Sequence, residues 1–308
     1  MVPPTRKTSG VAEKKSTSGA RFVLLVGDEG AILVYLQGKK VVRRLFAPSP
    51  QPAHTEAMVN LMREHPGASI SILMDVLDQQ YVRQTFPPVS SLSVGGLVKR
   101  RLERDFQAED LKGSIALGRD KTGRKEWNYL LVSLSKTPLV AEWLDLVVEL
   151  PNPLSGVYLV PVETPDYIKR LHKAVAGGSS KPWQLFVSHN KVSGFRQVVV
   201  HNDKIVFTRV TQAIDDAIAA VIAGNIEQEI INTLEYLRRL GFQDSAELEI
   251  FVVAAAEVSD SLDMKRFAVG ASHVLTPLDV ADALGLEQAA LSADRFGDVV
   301  MASAIATN

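Results

Sequence analysis

Residues 183–210, WQLFVSHNKVSGFRQVVVHNDKIVFTRV, hold three apolar, β-branched runs broken by two short polar stretches. Val, Ile, Phe and Trp fit a pleated surface, and Asn, Asp and Lys at the breaks tolerate turn backbone, so the stretch reads as a β-meander. Strands are expected at 184–187, 195–200 and 205–210, with turns at 189–191 and 202–204. The cadence recurs near the N-terminus as RFVLLV, the turn Gly27-Asp28-Glu29-Gly30, AILVYL, a turn at 37–39 and KVVRRLF. A helix is expected after each copy. The chain therefore reads as two related β-β-β-α units, a fold-level duplication and not a short-period solenoid. Two unrelated meanders in one α/β chain are the alternative on spacing alone.

The chain has 308 residues, enough for about two domains. Its 34 Lys and Arg balance 35 Asp and Glu, so no basic field draws in nucleic acid and no acidic excess suggests a solvated tail. With no cysteine, disulfides, thiolate metal sites and cysteine nucleophiles are excluded, and the composition fits a reducing cytosol. No apolar run approaches the roughly 18–20 residues of a spanning helix. Residues 1–20 carry basic residues without a hydrophobic stretch, which fits a disordered basic tail and not a secretory signal.

Along the chain, helices are expected at 54–65, 93–106, 137–148, 164–175, 226–240 and 295–306. Thr137-Pro138, Thr164-Pro165 and Thr276-Pro277 each pair an N-cap with a proline at the first helical position. Asn225 with Gln228 reads as a capping box, and Gly241 as the end of that helix. Further strands are expected at 69–76, 81–86, 114–117, 127–134 and 247–253. The segment 176–181, AGGSSK, is the clearest linker. The expected division is a tail at 1–20, a first lobe at 21–176 with an inserted α/β subdomain at about 69–150, and a second lobe at 177–308 whose final helix returns to the first.

Short patterns with chemical precedents fail on context. In the segment 118–125, GRDKTGRK, no Lys follows the second Gly of a G-x4-G and no helix opens behind it, so it reads as a hairpin tip. Ser133 and Lys136 fit S-x-x-K, but Ser133 lies in an expected strand and the companion K-T-G precedes it, the reverse of the penicillin-recognising order. His54 and His65 flank a helix without metal-ligand spacing. No catalytic residue and no metal site is assigned.

The two β-β-β-α units, each with a polar first turn, resemble the actin-like ATPase fold. In texture and order the chain is similar to the PilM, GspL and BfpC proteins of type IV pilus and type II secretion assembly. The segments that carry this are SISILMDVLDQQYVRQTFPPV, YLLVSLSKTPLVAEWLDLV, GFRQVVVHNDKIVFTRV, IEQEIINTLEYLRRLGF and GDVVMASAIA. The resemblance implies an actin-like α/β fold built of duplicated ribonuclease H-like units in two lobes. It also implies nucleotide-contacting positions at Gly27, Asp28, Glu29 and Gly30 in the first turn and Ser188, His189 and Asn190, with Lys191, in the second. The adenosine turn maps to Ala254-Ala255-Ala256-Glu257.

Three departures stand out: no Asp in the second turn, alanines where glycines would admit a nucleoside, and only 211–224 for the subdomain that closes the cleft in full ATPases. The site is therefore expected to be vestigial, with no cofactor. The function implied is a non-catalytic cytoplasmic scaffold at the inner membrane, linking an assembly ATPase to platform proteins, with a dimer allowed and nucleic acid excluded. An active ATPase or small-molecule kinase binding ATP and magnesium through Asp28 is the alternative. A GspL-like form would continue into a membrane helix after Asn308, and a PilM-like form would stand alone.

Overall fold

A computed structural model describes residues 19–120, 123–213, 218–239, 241–243, 245–287 and 294–307. Of the basic tail expected at 1–20, only Gly19 and Ala20 fall within them. β1 (Ala20–Gly27), β2 (Gly30–Gln37) and β3 (Lys40–Ala47) form an antiparallel meander, and α1 (Pro52–Glu64) crosses to β4 (Ser69–Asp75), parallel to β1. β5 (Gln79–Phe86), α2 (Ser91–Asp105), β6 (Leu111–Arg119) and β7 (Trp127–Leu134) follow, their strands forming a separate sheet of order β5-β7-β6. α3 (Pro138–Val148) then leads to β8 (Leu154–Leu159), which closes the first sheet in the order β3-β2-β1-β4-β8.

After α4 (Val160–Val175) the plan repeats with β9 (Trp183–Asn190), β10 (Gly194–His201), β11 (Lys204–Thr211), α5 (Ala219–Arg239) and β12 (Leu248–Val253). α6 (Ala256–Ser259), β13 (Ala271–Leu275), α7 (Pro277–Leu284) and α8 (Asp298–Ala306) complete it, giving a second sheet of order β11-β10-β9-β12-β13.

The two sheets match in detail. Each second strand starts on a glycine with positive φ, Gly30 at 132° and Gly194 at 84°. A Cβ at either would lie 2.4 Å from the last carbonyl of the third strand, that of Ala47 or Thr211. Only glycine satisfies both the backbone angle and this approach. Each second strand also carries a bulge six residues in, at Tyr35/Leu36 and at Val199/Val200. One two-stranded twist pattern is thus written twice.

Central strands buried on both faces read as continuous apolar runs. Phe22, Leu24 and Val26 pack outward on α1 and α3 around Trp143, whereas Val23 and Leu25 point inward. In the second lobe Leu185 and Val187 pack outward on α5, and Phe186 points inward. The inward faces share one core with α4, α7 and α8, so α8 returns to β1 and β2. A separate small cluster joins α2 through Val94, Val98 and Phe106 to the three-stranded sheet.

Several expectations need correction. β9 runs to Asn190, so Ser188, His189 and Asn190 are strand residues and the tight turn is Lys191, Val192 and Ser193, closed by Gly194. Thr164-Pro165 does not start a helix; α4 begins at Val160, with Pro161 supplying the first-turn proline. The break at Pro165 costs one backbone bond, and the Thr164 hydroxyl donates to the Val160 carbonyl at 2.7 Å. Asn225 is not a cap either, because α5 starts at Ala219: buried Ile222 and Ala223 extend the seam of Ile226, Ile230 and Leu234 backwards. That burial outweighs the roughly 1 kcal/mol that Gly224 costs in a helix. β8 and β13 were not anticipated. Thr137 and Thr276 do cap α3 and α7, the latter through a full capping box with Asp279.

Candidate functional site

β1 and β4, paired Gly27 to Asp75, and β9 and β12, paired Ser188 to Val253, end at the junction of the two lobes. There the first turn does not face open space. The Glu29 backbone N–H donates to the Val192 carbonyl at 2.9 Å. A Cβ at position 27 would sit 2.1 Å from the same oxygen. Gly27 thus admits the opposite turn of the protein itself. Asp28 is also committed: its Oδ2 accepts the Leu77 N–H at 2.8 Å. Burial pushes the Asp28 carboxyl up, the Leu77 bond draws it down, and the charges of Asp75 and Asp78 push it up further.

Two charged residues that the sequence reading passed over form the floor. Asp75, fully buried at the end of β4, accepts Arg196 Nε at 2.6 Å, Ser193 Oγ at 2.5 Å and Asn190 Nδ2 at 3.2 Å. Arg196, on β10, also donates to Thr208 Oγ1 at 3.2 Å. A buried carboxylate without such partners would cost several kcal/mol.

The third is Asp298, the first residue of α8. Its Oδ2 accepts the Lys191 N–H at 2.5 Å and its Oδ1 the Val192 N–H at 3.3 Å. Successive backbone N–H groups converging on an anion form the nest by which turns hold phosphate, and here the accepting oxygens are those of the protein's own carboxyl group. Asp298 is fully buried, and this burial pushes its carboxyl up to about 7 against the pull of the Lys191 and Val192 amides, with Asp75 pushing the same way.

Ser188, His189 and Asn190 support this closure. Ser188 Oγ donates to Asn190 Oδ1 at 2.6 Å, and the His189 carbonyl accepts the Gly297 N–H at 2.8 Å. The His189 ring lies 5.0 Å from that of Phe195 and 4.9 Å from that of Phe296. Lys191 Nζ is 5.6 Å from the centre of the Phe46 ring and 5.5 Å from that of Phe296. The cavity left here, between Phe46, Lys191, Phe296 and Asp298, is about 270 Å³. Pockets that hold drug-sized ligands run from roughly 300 to 1,000 Å³.

At the third turn Ala254 and Ala255 are buried, and the Ala254 N–H donates to the Leu275 carbonyl at 3.1 Å. Glu257 pairs with Arg295 at 2.5 Å. The Lys191 and Val192 amides thus hold Asp298, the Glu29 amide holds the Val192 carbonyl, and Asp28 and Asp75 already have partners.

No family model matches the chain, and no curated protein matches it. Solved structures do. A PilM-PilN type IV pilus biogenesis complex aligns over 94% of this chain and 98% of its own, at 13% identity and a TM-score of 0.60. A Bacteroides thetaiotaomicron protein with an actin-like ATPase fold and unknown function aligns over 86% and 94% at 9% identity, with a TM-score of 0.48. The cytoplasmic domain of EpsL, an inner-membrane component of the type II secretion system of Vibrio cholerae, aligns over 76% and 81% at 12% identity, with a TM-score of 0.42. With two sheets of one strand order and one bulge position, the chain has the actin-like fold, and its likeness to the PilM-containing structure extends over nearly its whole length.

Proposed function

We propose that this chain is a non-catalytic actin-like scaffold of a type IV pilus or type II secretion assembly platform, one that joins an assembly ATPase to inner-membrane components from the cytoplasmic side. The observation that carries the non-catalytic reading is Asp298, seated on the Lys191 and Val192 amides where an actin-like ATPase would hold phosphate. Phosphoryl transfer needs several charge-neutralising groups around the phosphates at once. Asp28 and Asp75 are instead engaged by Leu77 and Arg196. The likeness to the PilM-PilN complex supports the setting in a pilus or secretion machine.

Titration calorimetry with ATP and magnesium tests the first half of the reading. No binding in the micromolar range is expected, and magnesium-dependent micromolar binding would overturn it. Co-purification with the assembly ATPase and platform proteins of its own cell tests the second half.

A further inference from the structure

A cavity of the protein lies away from the junction of the lobes. It is a groove of about 840 Å³ on the outer face of the first lobe, between α1 and α3. Glu56, Val59 and Arg63 line it from α1, and Glu142, Asp145, Leu146 and Glu149 from α3 and its C-cap. Spacings of three and four place each set on one helix face, so the two helices bound a trough lined by Val59 and Leu146 beside the charged residues.

The charges there are unbalanced. Glu56, Glu142, Asp145 and Glu149 are exposed, and none has a side-chain hydrogen bond or ion pair among the described residues. Arg63 is the single cation in the lining among the described residues. On α2, by contrast, Lys99 pairs with Glu103, and Arg101 and Arg104 with Asp105.

We propose that the α1/α3 groove binds a cationic amphipathic helix of a partner protein, its apolar seam on Val59 and Leu146 and its Lys or Arg residues against the four carboxylates. A helix laid in a trough between two others buries an apolar stripe, and opposed charge on the rim fixes its register and speeds encounter. α1 has 13 residues, about 20 Å of helix, which matches a partner segment of three to four turns. This deepens the interaction-protein reading by naming a partner's chemistry. It involves neither Asp298 nor the lobe junction, so the two readings fail independently.

The test is fluorescence anisotropy with a labelled Leu/Lys amphipathic helix of about 14 residues, and a Leu/Glu peptide of the same pattern as control. The groove variant carries Glu142→Gln, Asp145→Asn and Glu149→Gln; a charge-matched variant carries Glu109→Gln, Glu235→Gln and Asp282→Asn, exposed residues away from the groove. Binding of the Leu/Lys peptide is expected to weaken about tenfold in the groove variant, as three rim charges would give, and to stay within about twofold in the matched variant. Equal weakening in both variants, equal affinity for the Leu/Glu peptide, or no binding to the unaltered protein would overturn the proposal. So would a tenfold gain on removing residues 1–18, or a dimer of the unaltered protein in sedimentation that the groove variant does not form. These would assign the groove to the chain's own basic terminal segment or to a second copy.

Discussion

Asp75 and Arg196 meet across the two lobes as a buried ion pair, Nε to Oδ1 at 2.6 Å, with the carboxylate on β4 of the first sheet and the guanidinium on β10 of the second. Removing one partner leaves the other charged and buried. Asp75→Asn or Arg196→Met should each cost about 3–5 kcal/mol, and the double variant Asp75→Leu/Arg196→Met clearly less than the sum. Urea unfolding of the four proteins checks this. Additive losses would mean that the two residues act separately.

Gly27→Ala should force the first turn off the Val192 carbonyl, since a Cβ has 2.1 Å where a normal contact needs more than 3 Å. The expected loss is about 1–3 kcal/mol, with faster amide exchange at Glu29, whose N–H bonds the same oxygen. Unchanged exchange at Glu29 would show that the turns do not depend on each other.

Asp298 makes stability depend on pH in an unusual direction. Its folded value of about 7 lies above the ordinary carboxylate value of 3.8, so between these the folded state holds a proton that the unfolded chain has released. Its contribution is complete below about pH 4 and is lost as pH rises through 7, by an amount on the order of a few kcal/mol. Asp298→Asn should remove that slope from a plot of unfolding free energy against pH. An unchanged slope in the variant would place the titration elsewhere.

Glu249 acts with the opposite sign. Burial pushes its carboxyl up, but hydrogen bonds from His172, Gln184 and His273 outweigh this and hold it below its ordinary 4.5. The cluster joins α4 to β12 and β13, with His172 and His273 each 2.9 Å from Oε1. Its stabilisation is present above about pH 4.5 and lost as pH falls through the folded value. Glu249→Gln should lower the urea midpoint at pH 7 and flatten the decline towards pH 4. A variant as stable as the parent at pH 7 would rule out that role.

The duplicated meander was legible because period and turn chemistry repeat locally: the two apolar runs and the left-handed Asn202-Asp203 turn, with φ of 49° and 61°, are short-range features. β8 was missed because Leu154, Val157 and Tyr158 are partly exposed and Gly156 interrupts them, so its pairing with β4 is a tertiary decision. The second turn was misplaced by two residues because His189 and Asn190 look like turn formers, yet burial against Phe296 and α8 keeps them extended. Most of the cleft's chemistry was missed for the same reason. Asp75, Arg196 and Asp298 sit inside apolar segments, SISILMD, FRQVVV and DVVMASAIA, where a lone charge signals a buried partner without identifying it. Their partners are 106 to 121 residues away in the chain.

The central claim is that the protein's own groups occupy the phosphate positions of an actin-like cleft. Residue-resolved amide exchange at Glu29, Lys191 and Val192, with and without millimolar ATP and magnesium, tests it most directly. Strong protection that nucleotide leaves unchanged is the predicted result; weak protection that rises when nucleotide is added would contradict it.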